Sequence, residues 1–238
     1  MLGSQSKEKG AYVRGMFASI APYYDFLNRL LSFGRDRYWR RIAVSHMALP
    51  NAGLALDIST GTADIALEIV RQFPEARRIL GVDFCEPMLR IGQEKVYHAG
   101  MKERIRLGVA RAEALPFREE SFDATIVAFG VRNYGDIREG LEEMARVTRK
   151  DGRAVVLEFS TPPGPTFQRL YHFYFHRVLP LLGRAISGNP EAYSYLPMSV
   201  SWFPSPRELQ DLMLKAGFRQ VDYTLLTRGI VTVHVGVK

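Results

Sequence analysis

Leu54-Ala55-Leu56-Asp57-Ile58-Ser59-Thr60-Gly61-Thr62-Ala63-Asp64, followed by Gly81-Val82-Asp83, is the stretch that decides the fold. Its first residues are a short apolar run, the pattern of a strand covered on both faces. A tight turn around Gly61 then leads into a helix, and a second strand ends in Asp83. A carboxylate about 20 residues beyond a strand–helix turn sits where it can accept hydrogen bonds from ribose hydroxyls. This is how an α/β sheet grips a nucleoside. A plainer reading makes Gly61 only a turn glycine and Asp83 only a helix cap; the pair at this spacing favours the binding site.

The same alternation continues outward. Strands are expected at 54–58, 78–83, 104–109, 123–129 and 153–159, with helices near 62–72, 86–98 and 136–149. Asp136 with Glu139, and Ser205-Pro206-Arg207-Glu208, both read as capping boxes at helix starts. The second of these helices carries Leu209, Leu212, Met213 and Ala216 on one face and stops at Gly217. Two closing strands, Val221–Leu226 and Ile230–Val237, are joined by Thr227-Arg228-Gly229, and so short a turn joins antiparallel neighbours. A parallel sheet with a late hairpin differs from a dehydrogenase domain. Upstream, residues 13–31 show helical spacing broken by Pro22, and a basic stretch follows from Arg35 to Arg41. The chain thus divides into a helical cap at 1–50 and an α/β domain at 51–238, with an apolar insert at 162–195. Met1 to Gly10 reads as a frayed tail with no signal core.

The chain has 238 residues, 47% of them apolar, enough for one large core. A net charge of +7 admits anionic partners, but the basic residues are scattered and no nucleic-acid motif accompanies them. Cys85 is the sole cysteine, so no internal disulfide forms; its setting after a strand suggests a packed residue in a reducing compartment. No apolar run approaches the roughly 18 residues of a membrane span. A cytoplasmic protein, able to rest on the inner face of a membrane, is expected.

The turn carries one glycine where a dinucleotide fingerprint carries three, and a pyrophosphate needs several close backbone approaches. A nucleoside without phosphate fits better. S-adenosyl-L-methionine is such a ligand, with Asp57 facing its positive amino-acid end and Asp83 its ribose.

The chain resembles the S-adenosylmethionine-dependent class I methyltransferases, and more narrowly the ubiquinone/menaquinone biosynthesis C-methyltransferases of the UbiE/MenG type. The likeness runs from about Val13 to Lys238. Its carrying segments include Met16–Ala21, Tyr24-Asp25 with Asn28, Ser32-Phe33-Gly34, Trp39-Arg40-Arg41 and Leu56–Asp64. Ala112–Phe117, Phe129-Gly130-Val131-Arg132-Asn133, Leu157-Glu158-Phe159-Ser160, Tyr195-Leu196-Pro197, Phe203-Pro204-Ser205 and Gly229-Ile230 complete it. The cofactor turn is widely shared; the Tyr-Asp-x-x-Asn and Phe-Gly-x-Arg-Asn segments are the specific ones.

The resemblance implies a Rossmann-like, mostly parallel sheet with a C-terminal antiparallel hairpin and an N-terminal helical extension. It implies methyl transfer to a ring carbon of a polyprenylated hydroquinone. Gly61, Thr62, Asp83, Arg111 and Ala112 would meet the cofactor, the last two beside adenine. Three residues depart from the family pattern. Ala63 replaces a second turn glycine and costs most if its φ is positive. Arg111 replaces a hydrogen-bond acceptor with a donor-only cation, so its side chain is expected to point elsewhere and backbone to hold adenine. Met198 stands where an acidic residue is usual.

A phenolic ring carbon becomes a good nucleophile once its hydroxyl loses a proton, which calls for a base and a cation. Arg132 is the expected cation and Asn133 orients the second ring oxygen; Tyr24 and Asp25 close over the substrate, with Asp25 a candidate base. The competing readings are that Arg132 pairs with Asp136 and that Tyr24 and Asp25 form a structural latch. The insert at 162–195, with Phe167, Leu170, Tyr171, Phe173, Tyr174 and Phe175 among Arg169, Arg177 and Arg184, suits a lid over a prenyl tail or an anionic membrane contact. A core-packing pair of helices or a homodimer contact is the alternative. His172 and His176 lie one helical turn apart without further ligands, so no metal is expected, and His234 reads as packed. Two further readings remain: a methyltransferase for another phenol or lipid, and a non-catalytic scaffold of the same fold.

Overall fold

The computed structural model describes residues 2–164 and 190–238, with Gln168, Phe173, Tyr174 and Arg177 between them. A seven-stranded sheet has the order β3-β2-β1-β4-β5-β7-β6. Its strands are β1 (Leu54–Ile58), β2 (Arg78–Asp83), β3 (Ile105–Val109), β4 (Phe122–Ala128), β5 (Thr148–Phe159), β6 (Gln220–Leu226) and β7 (Val231–Val237). The first five pair in parallel, and β7 runs antiparallel to both β5 and β6. The Thr227–Gly229 turn imposes that reversal, as its length requires. The chain moves outward from β1 in both directions, to β2 on one side and β4 on the other. Ligands of open parallel sheets bind at that point, beyond the carboxyl ends of the strands.

Both faces of the sheet are covered. Ala55, Ile126, Val155 and Leu157 pack on one face with Trp39, Ala43, Val44 and Met47 of α3 (Arg35–Ser45) and the turn after it, and with Ile65, Ala66 and Ile69 of α4 (Asp64–Gln72). Leu56, Val127, Ala154 and Val156 pack on the other with Leu141 and Met144 of α6 (Ile137–Val147) and Leu209 and Met213 of α8 (Pro206–Lys215). α5 (Glu86–His98) flanks β2 and β3. Residues of α3 therefore share a core with β1, across the expected boundary at residue 50.

Helix starts follow local chemistry. Asp136 accepts from the N–H groups of Arg138 at 2.8 Å and Glu139 at 3.2 Å, and Ser205 and Glu208 form a reciprocal capping box. Two expectations shift. The turn at Lys150–Gly152 lies inside β5, whose pairing jumps from Phe122↔Thr148 to Ala124↔Arg153, with Asp151 at φ 64°. The tail expected at Met1–Gly10 is helical from Leu2, as part of α1 (Leu2–Ile20). Lys9 ties it down, its Nζ donating to the Tyr134 carbonyl at 2.7 Å and the Arg132 carbonyl at 3.4 Å. Pro22 ends α1, and α2 (Tyr24–Leu31) follows after one turn. Most of the insert at 162–195, including His172 and His176, lies outside the described residues, whose last part before α8 is α7 (Pro190–Trp202).

Candidate active site

Two groups of side chains lie at the carboxyl edge. The first surrounds the turn after β1. Asp57 is buried, and one of its oxygens accepts from the Thr60 hydroxyl at 2.5 Å while Oδ1 has no partner. Burial pushes its carboxyl up to about 7, against the pull of the Thr60 hydroxyl. Asp83 accepts from the Gly61 N–H at 2.9 Å through one oxygen and from the Cys85 N–H at 2.8 Å through the other. Burial raises it to about 6, and those N–H groups oppose the rise. The carboxylate thus fixes the glycine turn against β2.

These residues fit a positively charged nucleoside. Asp57 offers a buried, unmatched acceptor for an ammonium group, and both carboxyls are held protonated longer than usual until a cation compensates them. The backbone is bent to make this edge: Ser59, Gly61 and Ala63 have φ of 57°, 54° and 65°. Ala63 therefore adopts the costlier of its two conformations, worth roughly 1–2 kcal/mol. Its methyl group is fully buried against α5, where Gly92 gives it room: a Cβ at Gly92 would lie 3.3 Å from that methyl.

A latch joins this edge to the N-terminal helices. Asp25 on α2 accepts from the Thr62 hydroxyl at 2.6 Å and pairs with Lys95 at 2.7 Å. Lys95 also binds Asp64, which lies 3.7 Å from Arg40, itself paired with buried Asp36. Both Asp25 oxygens are thereby engaged. Tyr24 faces inward near Asn28, Arg40 and Arg132, and burial raises its hydroxyl above the ordinary range.

The second group lies at the carboxyl ends of β4 and β5. Phe129 leaves β4 at φ 58°, and Gly130 follows because a Cβ there would lie 2.6 Å from that of Ser59. This bend presents the Phe129 carbonyl to Arg132 Nη1 at 2.5 Å and to Asn133 Nδ2 at 3.4 Å. Arg132 pairs with Glu158 near the end of β5, at 2.6 Å, and not with Asp136. The guanidinium lies 5.4 Å from the Phe159 ring centre. Asn133 accepts from the Tyr195 hydroxyl of α7 at 3.1 Å. Glu158 is the candidate that sequence reasoning missed; an acid within a strand, directly after the apolar run Ala154–Leu157, is the signal that marks it.

Arg111 is half exposed with its Nε 3.5 Å from Glu113, turned along the surface, while Ala112 is buried. Cys85 is packed with Ala21 and Met88. His234 is buried, bonds the Pro206 carbonyl at 2.8 Å, and is lowered to about 4 by burial. Among the described residues no cluster could hold a metal.

The chain matches the ubiE/COQ5 methyltransferase family over residues 4–238. It is 51% identical over 231 residues to the ubiquinone/menaquinone biosynthesis C-methyltransferase UbiE of Geotalea uraniireducens, covering 97% of this chain and 98% of that one. It is 50% identical over 222 residues to the demethylmenaquinone methyltransferase of Thermus thermophilus, covering 93% and 99%. Among solved structures, a SAM-dependent methyltransferase from Thermotoga maritima superposes with a TM-score of 0.63 at 22% identity, covering 93% and 99%, a likeness of fold.

Proposed function

The chain belongs to the ubiE/COQ5 methyltransferase family, and from that premise we propose that it methylates a ring carbon of a polyprenylated hydroquinone. The substrate is demethylmenaquinol, a quinone precursor of menaquinone biosynthesis, and the methyl donor is S-adenosylmethionine. The observation that carries this reading is Arg132: buried beyond β4, held by Glu158 and the Phe129 carbonyl, with its Nε unpartnered. A fixed cation with a spare donor is what a developing phenolate needs.

S-adenosylmethionine supplies an electrophilic methyl group when bound. The chain's own residues align it. Asp57 receives the ammonium, Asp83 the ribose diol, and the turn at Gly61-Thr62 the adjoining backbone contacts, with Ala112 beside adenine. Arg111 contributes backbone only. Asp25 and Tyr24 close α2 over the turn, and Asn133, fixed by Tyr195, orients the second ring oxygen. Such alignment turns a slow bimolecular encounter into an ordered one.

No helix among the described residues is long and apolar enough to cross a membrane. The outer face of α2 and the turn after it suits a membrane contact at the inner face. Phe26 is 59% exposed and Phe33 81%, with Tyr23 and Leu30 on the same stripe and Arg29, Arg35 and Arg37 around them. Phe33 meets Tyr174 with ring centres 5.9 Å apart, so Tyr174 adjoins the stripe. Flotation with anionic vesicles is expected to carry the protein upward; recovery only in the soluble fraction argues against the contact.

Quinone profiling of a strain lacking the gene tests the main reading. Accumulation of a demethylated quinone is expected, and an unaltered quinone pool contradicts it.

A further inference from the structure

Two ion pairs among the described residues are almost wholly buried, and they differ. Arg40–Asp36 is well supported: the Ser32 hydroxyl donates to Asp36 at 3.0 Å, and Asp64 stands 3.7 Å from Arg40. Arg132–Glu158 has side-chain exposures of 7% and 1%, yet Arg132 Nε and Glu158 Oε2 are both without a partner. A half-satisfied buried pair is costly, since each unmatched atom has given up water for nothing. Here the unmatched atoms are one donor and one acceptor. A hydroxyl group, which donates one bond and accepts others, matches both.

Resting on the hydroquinone reading, we propose that Glu158 is the catalytic base that takes the ring-hydroxyl proton, Arg132 Nε holding the oxygen left behind. The O–H proton passes to Glu158 Oε2. The electron pair released into the ring forms the new carbon–methyl bond, and the pair of the broken sulfur–methyl bond stays on sulfur. The ring carbon then gives its own proton to water, and Glu158 returns the first proton to the ring oxygen. One proton is released overall and Glu158 is unchanged.

The surroundings agree with this role. Charged and titratable groups reach Glu158 from the turn after β4, where Arg132 and Tyr134 lie, and from α7, where Tyr195 lies; opposite it on β7 is uncharged Thr232. Lys9 of α1 is spent on the carbonyls of Arg132 and Tyr134. Burial raises the Glu158 carboxyl to about 7 while Arg132 pulls it back down. A base is most useful when its pKa lies near the working pH.

The test uses Glu158→Gln in the full chain, with S-adenosylmethionine affinity by calorimetry to show that the fold and cofactor edge are intact. Wild-type turnover on demethylmenaquinol is the control, and its absence would sink the hydroquinone reading rather than this one. We expect kcat to fall by about 100-fold or more, the acid limb of the kcat profile to disappear, and a hydroquinone acidified by an electron-withdrawing substituent to recover much of the loss. A kcat within about threefold of wild type, or an equal deficit on both substrates with the acid limb intact, overturns the proposal. If Glu158→Gln does not fold, wild-type enzyme with hydroquinones of graded acidity decides. An acid limb that stays fixed across the series supports Glu158, and one that tracks ring acidity overturns it.

Discussion

The β1–β2 end and the β4–β5 end lie at the same carboxyl edge of the sheet but are made differently. At the first, the backbone is the instrument: three residues of positive φ bend the turn, and Asp83 pins the Gly61 N–H from 22 residues away. At the second, a side-chain pair spanning 26 residues is the instrument, supported by a single bent residue at Phe129. The first edge, the nucleoside grip of the proposed function, holds a buried alanine at positive φ in its turn. The second concentrates its chemistry in two charges that depend on each other.

That contrast predicts unequal damage. Arg132→Ala is the largest expected effect, because it strands Glu158 in the interior; such losses run at about 3–5 kcal/mol. Denaturant unfolding should show the deficit growing with pH. The Glu158 carboxyl binds its proton more tightly in the folded chain, at about 7, than at its ordinary 4.5. Its contribution is therefore full below about 4.5 and lost as pH rises through about 7. Without Arg132 to favour the charged form, that loss deepens. A deficit that is flat from pH 5 to 8 would break the comparison.

Asp25→Asn should come next. It removes the charge that joins α2 to Thr62 and Lys95, a half-exposed network, so a modest loss is expected: S-adenosylmethionine affinity lower by about threefold to tenfold, close to 1 kcal/mol. Calorimetry reads it. Unchanged affinity with lost turnover would instead return Asp25 to the role of base.

The smallest effect is expected at Ala63→Gly. Relief of the positive φ, roughly 1 kcal/mol, is offset by loss of a buried methyl worth about 0.8 kcal/mol. Thermal unfolding should move little in either direction, and a large destabilisation would mean that packing against Gly92 outweighs the bend.

The same contrast explains what the sequence disclosed. Strands and helices were legible because their signals are local: apolar runs for β1 and β5, Asp136 and Ser205 as caps, a three-residue turn for the closing hairpin. The meeting of the Gly61 turn with Asp83 was legible for the same reason. The partner of Arg132 was not. Asp136 lies four residues from it in sequence, but β4 and β5 are neighbours in the sheet and bring Glu158 closer. Nor did spacing reveal that Asp25 faces Thr62, since the approach of α2 to that turn depends on how Pro22 redirects the chain. The sign of φ at Ala63, which decides the cost of its methyl group, likewise belongs to the folded turn.

The most direct measurement is a single-turnover reaction of the purified protein with S-adenosylmethionine and a short-chain demethylmenaquinol, read by mass spectrometry. The account predicts a ring-methylated quinol formed in equal amount with S-adenosylhomocysteine. A folded sample that binds S-adenosylmethionine yet leaves the quinol unmethylated would contradict it.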